Sequence, residues 1–463
     1  MRRSILISSA ILGLVATASG DTYVVNPEGT GDFPTIQAAV TAAVDGDTIE
    51  LTVGTFYGPE NRNVNYQGKA ITIRSQTGDP NGCIIDCQGV TRGFDFSLGE
   101  GSGSILEGVT VTQGAQGPGG AVRCWGGASP TIRDCFFTHC TASMIGGAVC
   151  FASYGTPTLT NCTFIANSTT FGGAVICWVD TEPTITGCTF IGNSAWFGAA
   201  IECADRAHVT VEGCTFWGND AERGGAVMCE EDSEVTIRNC TFHENVAYEG
   251  GAAVACEVNG HVFLENAVLA FSTSGEAILC SSSSSATLTC CDVFGNAGGD
   301  WVGHIADQYG INGNISEDPL FCDPEEGNFS LQIDSPCAPF SPPNPECDLI
   351  GAWPVGCDPQ GIEGEMVAPG MFLEAGAPNP FSGETHIRCR VPSAATRTSA
   401  SLRVFDGGGR RVRTLTEDVT AATAAVFLWD GTDDSGAGVP GGVYFIRLVS
   451  GSEVLTGRVV LVR

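Results

Sequence analysis

Positive charge is scarce in this chain. Lysine occurs once, at Lys69, and Lys and Arg together number 21 against 52 Asp and Glu, a formal net charge of −31 over 463 residues. Nucleic acid and anionic membrane surfaces are held by clustered cations, so neither is an expected partner. Long hydrophobic runs are missing too. Beyond the first 20 residues nothing approaches the roughly 18 apolar residues needed to cross a bilayer, so the chain is not expected to span a membrane. Gly-x-Ser-x-Gly, His-Glu-x-x-His and phosphate-loop signatures are absent, and the six His are scattered. There is no Cys-x-x-Cys pair among the 22 Cys, which argues against zinc sites. The chain is not a disordered polyanion either, since 43% of its residues are apolar.

The ends differ from the middle. Arg2-Arg3, an apolar stretch from Ile5 to Val15 and the small-residue exit Ala16–Gly20 have the layout of a secretory signal, residues 1–20. Residues 21–370 carry 43 Asp and Glu against 9 Lys and Arg, whereas residues 371–463 carry 9 against 10. A shift that sharp marks a boundary. The expected division is a main domain over 21–358, a linker over 359–370 and a small domain over 371–463.

A repeat governs the larger part. Cysteines at 124, 150, 177, 203, 229, 256 and 280 are 24 to 27 residues apart, and a second series runs 135, 162, 188, 214 and 240. Gly-Gly-Ala steps (Gly119-Gly120-Ala121, Gly146-Gly147-Ala148, Gly172-Gly173-Ala174) and Phe-x-x-Asn pairs (Phe164/Asn167, Phe190/Asn193, Phe216/Asn219, Phe242/Asn245) keep the same period. A period of this length means stacked units. Segments such as Pro183–Phe190 and Val235–Phe242 are short, β-branched and alternating, with no helical stripe, so the unit is a coil of short strands. The fold class is therefore all-β: a parallel β-helix solenoid followed by a small antiparallel sandwich. Equivalent residues stack about 4.8 Å apart, so each must fit between copies of itself. Stacked Cys side chains run parallel, which favours thiol ladders over disulfides. Phe33–Val44 is the one convincing helix, capped by Thr35, with Ile36, Ala39, Val40 and Ala43 facing the first coil. Cys322, Cys337, Cys347 and Cys357 lie outside the repeat in Pro-rich loops; Cys322–Cys337 with Cys347–Cys357 is the favoured disulfide pairing, and the other two pairings stay open.

These residues resemble known families. Gly29-Thr-Gly-Asp-Phe-Pro-Thr-Ile-Gln-Ala-Ala-Val40 with Asp45-Gly-Asp-Thr-Ile49 is similar to the entry segment of pectin-lyase-like right-handed β-helix proteins. The Gly-Gly-Ala and Phe-x-x-Asn repeats resemble those of polymorphic outer-membrane adhesins. In the tail, Pro378–Phe381, Leu402–Asp406, Arg411–Leu415, Trp429–Gly436 and Gly442–Leu448 resemble the FlgD-type Ig-like domain and the sorting domains of type IX secreted proteins. The first resemblance implies a fold that hosts lyases, hydrolases and adhesins alike. The second implies surface delivery or an accessory role.

Two sets of side chains are candidates for ligand binding. Trp125, Phe151 and Trp178 each follow a ladder Cys by one residue, and Asp205, Glu230 and Glu257 lie at or near that rung position on later coils. A shared rung position means a shared direction, so the row reads as an aromatic platform for sugar rings bordered by carboxylates. Asp205, Glu230, Glu231 and Asp232 could share a Ca²⁺, which wants six to eight oxygens, and no other cofactor is implied. Asp205-Arg206 near Arg223 could serve a Ca²⁺-assisted lyase step. The resulting expectation is a secreted, cell-surface β-helix with a carbohydrate-binding or adhesive role and no turnover, its partner an extracellular glycan or another surface protein. The alternative is a Ca²⁺-assisted polysaccharide lyase or glycoside hydrolase acting on an acidic glycan.

Overall fold

The computed structural model describes residues 20–357 and, in the C-terminal part, 372–373, 383–390, 398–405, 410–419, 424–450 and 453–461. The signal segment up to residue 19, the linker 359–370 and the Pro378–Phe381 motif lie outside the described residues. The chain divides into two compact units, residues 1–360 and 361–463.

The first unit is a parallel β-helix built from three sheets. One face stacks 11 strands from Thr22–Val25 to Ser285–Thr289, a second stacks 10 from Gly54–Phe56 to Asp292–Phe294, and the third is a 12-stranded sheet. The only α-helix among the described residues of this unit, Ile36–Ala42, is capped by the Thr35 hydroxyl, which accepts from the Ala38 N–H at 3.2 Å. Its buried Ile36, Ala39 and Val40, with Ala43, close the apolar end of the first coils.

Between coils the pairing is residue for residue, so Phe164, Phe190, Phe216 and Phe242 form one inward row. Their rings stack nearly parallel at 4.8, 5.0 and 4.5 Å. Isolated rings prefer offset or edge-on geometry; here the strand spacing of about 4.8 Å imposes the stack. Three residues on, the buried Asn167, Asn193, Asn219 and Asn245 satisfy one another. Each Nδ2 donates to the Phe carbonyl of the preceding coil, and from Asn167 to Asn219 each also donates to the Oδ1 of the next Asn. The cysteine row beside them uses sulfur likewise: the N–H of Cys162, Cys188 and Cys214 each donates to the Sγ of the next Cys at 3.3 to 3.4 Å. Among the described residues seventeen cysteines are free, and all of these are buried.

The Gly-Gly-Ala step is a corner where the third sheet divides. Gly172 has φ +66°, and a Cβ on Gly173 would sit 2.3 Å from the Ala199 carbonyl oxygen, so side chains are barred there. Before the corner run Ser168–Phe171, Ser194–Phe197 and Asp220–Arg223; after it run Val175–Trp178, Ile201–Ala204 and Val227–Cys229. One continuous strand, Val246–Cys256, passes through the corner and joins both sets.

This register corrects one expectation. Cys124 pairs with Phe151, and Phe151 with Cys177. The inward row is therefore Cys124, Phe151, Cys177, Cys203, Cys229, Cys256, with Cys150 outward between Arg123 and Ile176. The coil reaching this rung holds 27 residues, and its cysteine comes one place early.

Beyond residue 315 the chain folds back over the second face. Phe321, Phe329, Leu331 and Ile350 pack with Val268 and Ala270, and the Trp353 Nε1 donates to Thr215 Oγ1 at 2.7 Å. The disulfides here are Cys290–Cys347 and Cys322–Cys357, with Cα separations of 5.7 and 5.9 Å. The expected Cys322–Cys337 and Cys347–Cys357 pairings are thus replaced. A cysteine of the last coil, Cys290, ties down the cap, while the buried Cys337 thiol donates to Asp292 Oδ2 at 3.1 Å.

The second unit contains a three-stranded and a four-stranded antiparallel sheet. Trp429 and Tyr444 lie in its core, edge to face at 4.9 Å, with Ile387, Leu402, Phe427 and Ile446. The Tyr444 hydroxyl donates to the Pro440 carbonyl at 2.6 Å.

Candidate functional site

Three consecutive rows make a groove on the outside of the third sheet. Alternation along each strand sends the residues on either side of the inward row outward. The floor is the row Asp95, Arg123, Cys150, Ile176, Glu202, Met228. One rim, two residues further on, continues from Trp125 past Ala152, Trp178 and Ala204 to Glu230 and Glu257. The facing wall, before the corner, carries Phe171, Phe197 and Arg223 in one row.

At its N-terminal end the groove is apolar. Cys150, Ala152 and Ile176 form a small buried cluster on which Ile145, Phe171, Trp125 and Trp178 lean. The two indoles meet edge to face at 6.2 Å across Ala152 and remain half-buried. Phe151 is not among them. It is fully buried in the core, so the platform expected from Trp125, Phe151 and Trp178 consists of the two tryptophans.

Further along, the floor turns acidic. Glu202 is 1% exposed, and its Oε2 has no hydrogen-bond partner. Burial foremost, and then the neighbouring Glu230, push its carboxyl well above the usual carboxylate range. Glu230 is itself pushed up to about 7, by burial first and then by Glu231 and Glu257. Arg223 reaches across from the wall to Glu257 at 3.1 Å and to Glu249 at 3.4 Å. The backbone N–H groups of Glu230 and Glu257 donate to Cys203 and Cys229 of the preceding coils, which places these two carboxylates on adjacent rungs.

The other candidates do not converge. Asp205 is bound by Arg206 at 2.5 Å, and Arg206 also holds Asp180 at 2.9 Å. Asp232 accepts from Asn259 at 3.0 Å. Among the described residues no three Asp, Glu, His or Cys side chains gather to hold a metal ion, so the Ca²⁺ set Asp205, Glu230, Glu231 and Asp232 forms no cage. Asp205-Arg206 likewise stands apart from Arg223, whose partners are Glu249 and Glu257. Glu202 and Phe171 were not foreseen. The signal for Glu202 was its place immediately before an inward cysteine, which alternation makes outward.

Residues 91–228 match the family model described as the right handed beta helix region. The chain is a right-handed β-helix there. Residues 377–453 match the FlgD Ig-like domain. No curated protein matches the chain. Among the described residues no helix is long and apolar enough to cross a membrane. The β-helix match covers Trp125, Trp178, Glu202 and Arg223 and stops short of the two rim carboxylates Glu230 and Glu257.

Proposed function

We propose that the groove of this β-helix binds an extended glycan, and that the protein is a secreted, surface-displayed binding or adhesive element. The observation that carries the reading is the continuity of one rim: two half-buried indoles, then two carboxylates on adjacent rungs, facing a wall that supplies Phe171 and Arg223. Indole faces suit the apolar faces of sugar rings, and carboxylates accept sugar hydroxyls. The tail, by its FlgD-like character, serves surface delivery, and the partner is an extracellular or cell-surface glycan. The test is a panel of soluble polysaccharides with Trp125→Ala/Trp178→Ala beside the parent. Weakened polymer binding with an unchanged melting temperature supports the reading, and parental binding by the double variant rejects it.

A second reading, glycoside hydrolysis, is favoured by one feature. Glu230, with its raised carboxyl, and the Arg-paired Glu257 sit on adjacent rungs, whose backbones are about 4.8 Å apart. Retaining glycosidases place a proton donor and a nucleophile about 5–5.5 Å apart. Release of reducing ends by the parent, abolished in Glu230→Gln, would establish turnover; no release from any bound glycan would dismiss it.

A further inference from the structure

The wall of the groove has a second side. Along its strands Phe171, Phe197 and Arg223 face the groove, so the residues between them face outward. Ser194 pairs with Asp220 and Asp220 with Val246. Two residues on, the same register sets Trp196, Glu222 and Tyr248 in one outward row on three consecutive coils. Trp196 is 60% exposed and Tyr248 61%. A shallow depression of about 320 Å³ lies between them, lined by Thr169, Ser194, Trp196, Asp220, Glu222 and Tyr248.

The Phe164, Phe190, Phe216 and Phe242 rings are buried and Trp125 and Trp178 lean on their own cluster; other exposed rings, such as Tyr57, Tyr154 and Phe263, lie on separate strands or turns, whereas Trp196 and Tyr248 share one row. Trp196 and Tyr248 stand out two rungs apart, about 9.6 Å along the axis. Tyr248 is held in place, its hydroxyl donating to Asp220 Oδ2 at 2.9 Å, so ordering it on a ligand costs little further entropy. Glu222 lies between the rings as a hydroxyl acceptor, and Ser194 and Thr169 add polar edges. Two spaced rings with acceptors between them suit alternate residues of a linear chain. With Asp220 and Glu222 and no cation in the lining, the surface repels anionic chains.

We infer that the outward row Trp196, Glu222, Tyr248 is a second saccharide-binding site, selective for a neutral linear glycan and independent of the groove behind it. Two sites on opposite sides of one wall let a single molecule bridge two chains, and such bivalency raises avidity without any new contact.

The test is affinity gel electrophoresis of the full chain in linear β-glucan, xylan and galactomannan, with polygalacturonate as the anionic probe. At least one neutral polymer is expected to retard the parent. Trp196→Ala and Tyr248→Ala should each weaken that retardation about 2- to 10-fold, the worth of one stacked ring. Tyr248→Phe, which keeps the ring, should weaken it less. Both side chains are exposed, so the melting temperature should not move. The inference is overturned if no neutral polymer retards the parent, if polygalacturonate retards it more strongly through this row, or if Trp196→Ala/Tyr248→Ala binds as the parent does. Retardation abolished by Trp125→Ala/Trp178→Ala and untouched by Trp196→Ala/Tyr248→Ala would sink this site and leave the groove standing; the converse would do the reverse.

Discussion

Replacing Asn219 by Ala removes the centre of the buried amide ladder, and the structure specifies what is left behind. The Asn219 Nδ2 donates to the Phe190 carbonyl at 3.0 Å and to Asn245 Oδ1 at 2.9 Å. Its Oδ1 accepts from the Asn193 N–H at 3.1 Å and the Asn193 Nδ2 at 3.0 Å. Asn193 Nδ2 keeps the Phe164 carbonyl, and Asn245 Oδ1 keeps the Asn219 N–H. The Asn193 N–H loses the only side-chain acceptor it has, and the Phe190 carbonyl loses its amide donor. Each buried polar group left without a partner costs about 1–3 kcal/mol, so the substitution should cost about 3–5 kcal/mol once the small cavity is included. Asn81→Ala is the control, since that amide is exposed and makes one 3.1 Å contact with Asp79; about 0.5 kcal/mol or less is expected. Urea unfolding followed by far-UV circular dichroism compares the two. A cost below about 1 kcal/mol for Asn219→Ala would refute the view that the ladder, rather than general burial, holds this corner of the coils.

Two further outcomes follow from the same interior. Glu230 has a folded value near 7 against an unfolded value near the ordinary 4.5, a raised carboxyl, so its contribution is fully present below about pH 4.5 and is lost as pH climbs through 7. With the discount for a half-buried side chain this amounts to about 1–2 kcal/mol between pH 4.5 and 8; Glu230→Gln should flatten that segment of the stability–pH curve, and an unchanged slope would mean the carboxyl titrates normally. The free cysteines should resist a thiol reagent in the native β-helix, because all of them are buried, and burial raises Cys140 and Cys150 to about 12; rapid labelling of several β-helix thiols without denaturant would contradict that burial.

Most of the coil was readable because stacking makes a residue its own neighbour. Phe-x-x-Asn, the Cys at 162, 188, 214 and 240 and the Gly-Gly-Ala corner recur only if each position packs against its copies, and each does so. The register at Cys150 was misjudged by following cysteine rather than the corner. Ala121, Ala174, Ala200 and Ala226 precede an inward cysteine by three residues, whereas Ala148 precedes Cys150 by two and Phe151 by three. A backbone corner that admits no side chain is a stricter marker of register than a small thiol that phenylalanine can replace. The disulfides were illegible for a different reason. Cys290 belongs to the last coil, and its pairing with Cys347 depends on how the cap folds back, a long-range fact that spacing does not encode. Glu202 and Trp196 were passed over because both occupy non-repeating outward positions, where the stack imposes no rule on residue type.

The central claim is that the β-helix presents a linear strip to a linear ligand, and its most direct test is the chain-length dependence of binding. Neutral oligosaccharides of one to eight units can be titrated while tryptophan fluorescence is followed, with Trp125, Trp178 and Trp196 as reporters. Affinity is expected to be immeasurable for the monosaccharide, to rise with each added unit as further rungs are engaged, and to level off once the strip is spanned. A monosaccharide that binds as tightly as the longest oligomer, or the absence of any fluorescence response at every length, would contradict the account.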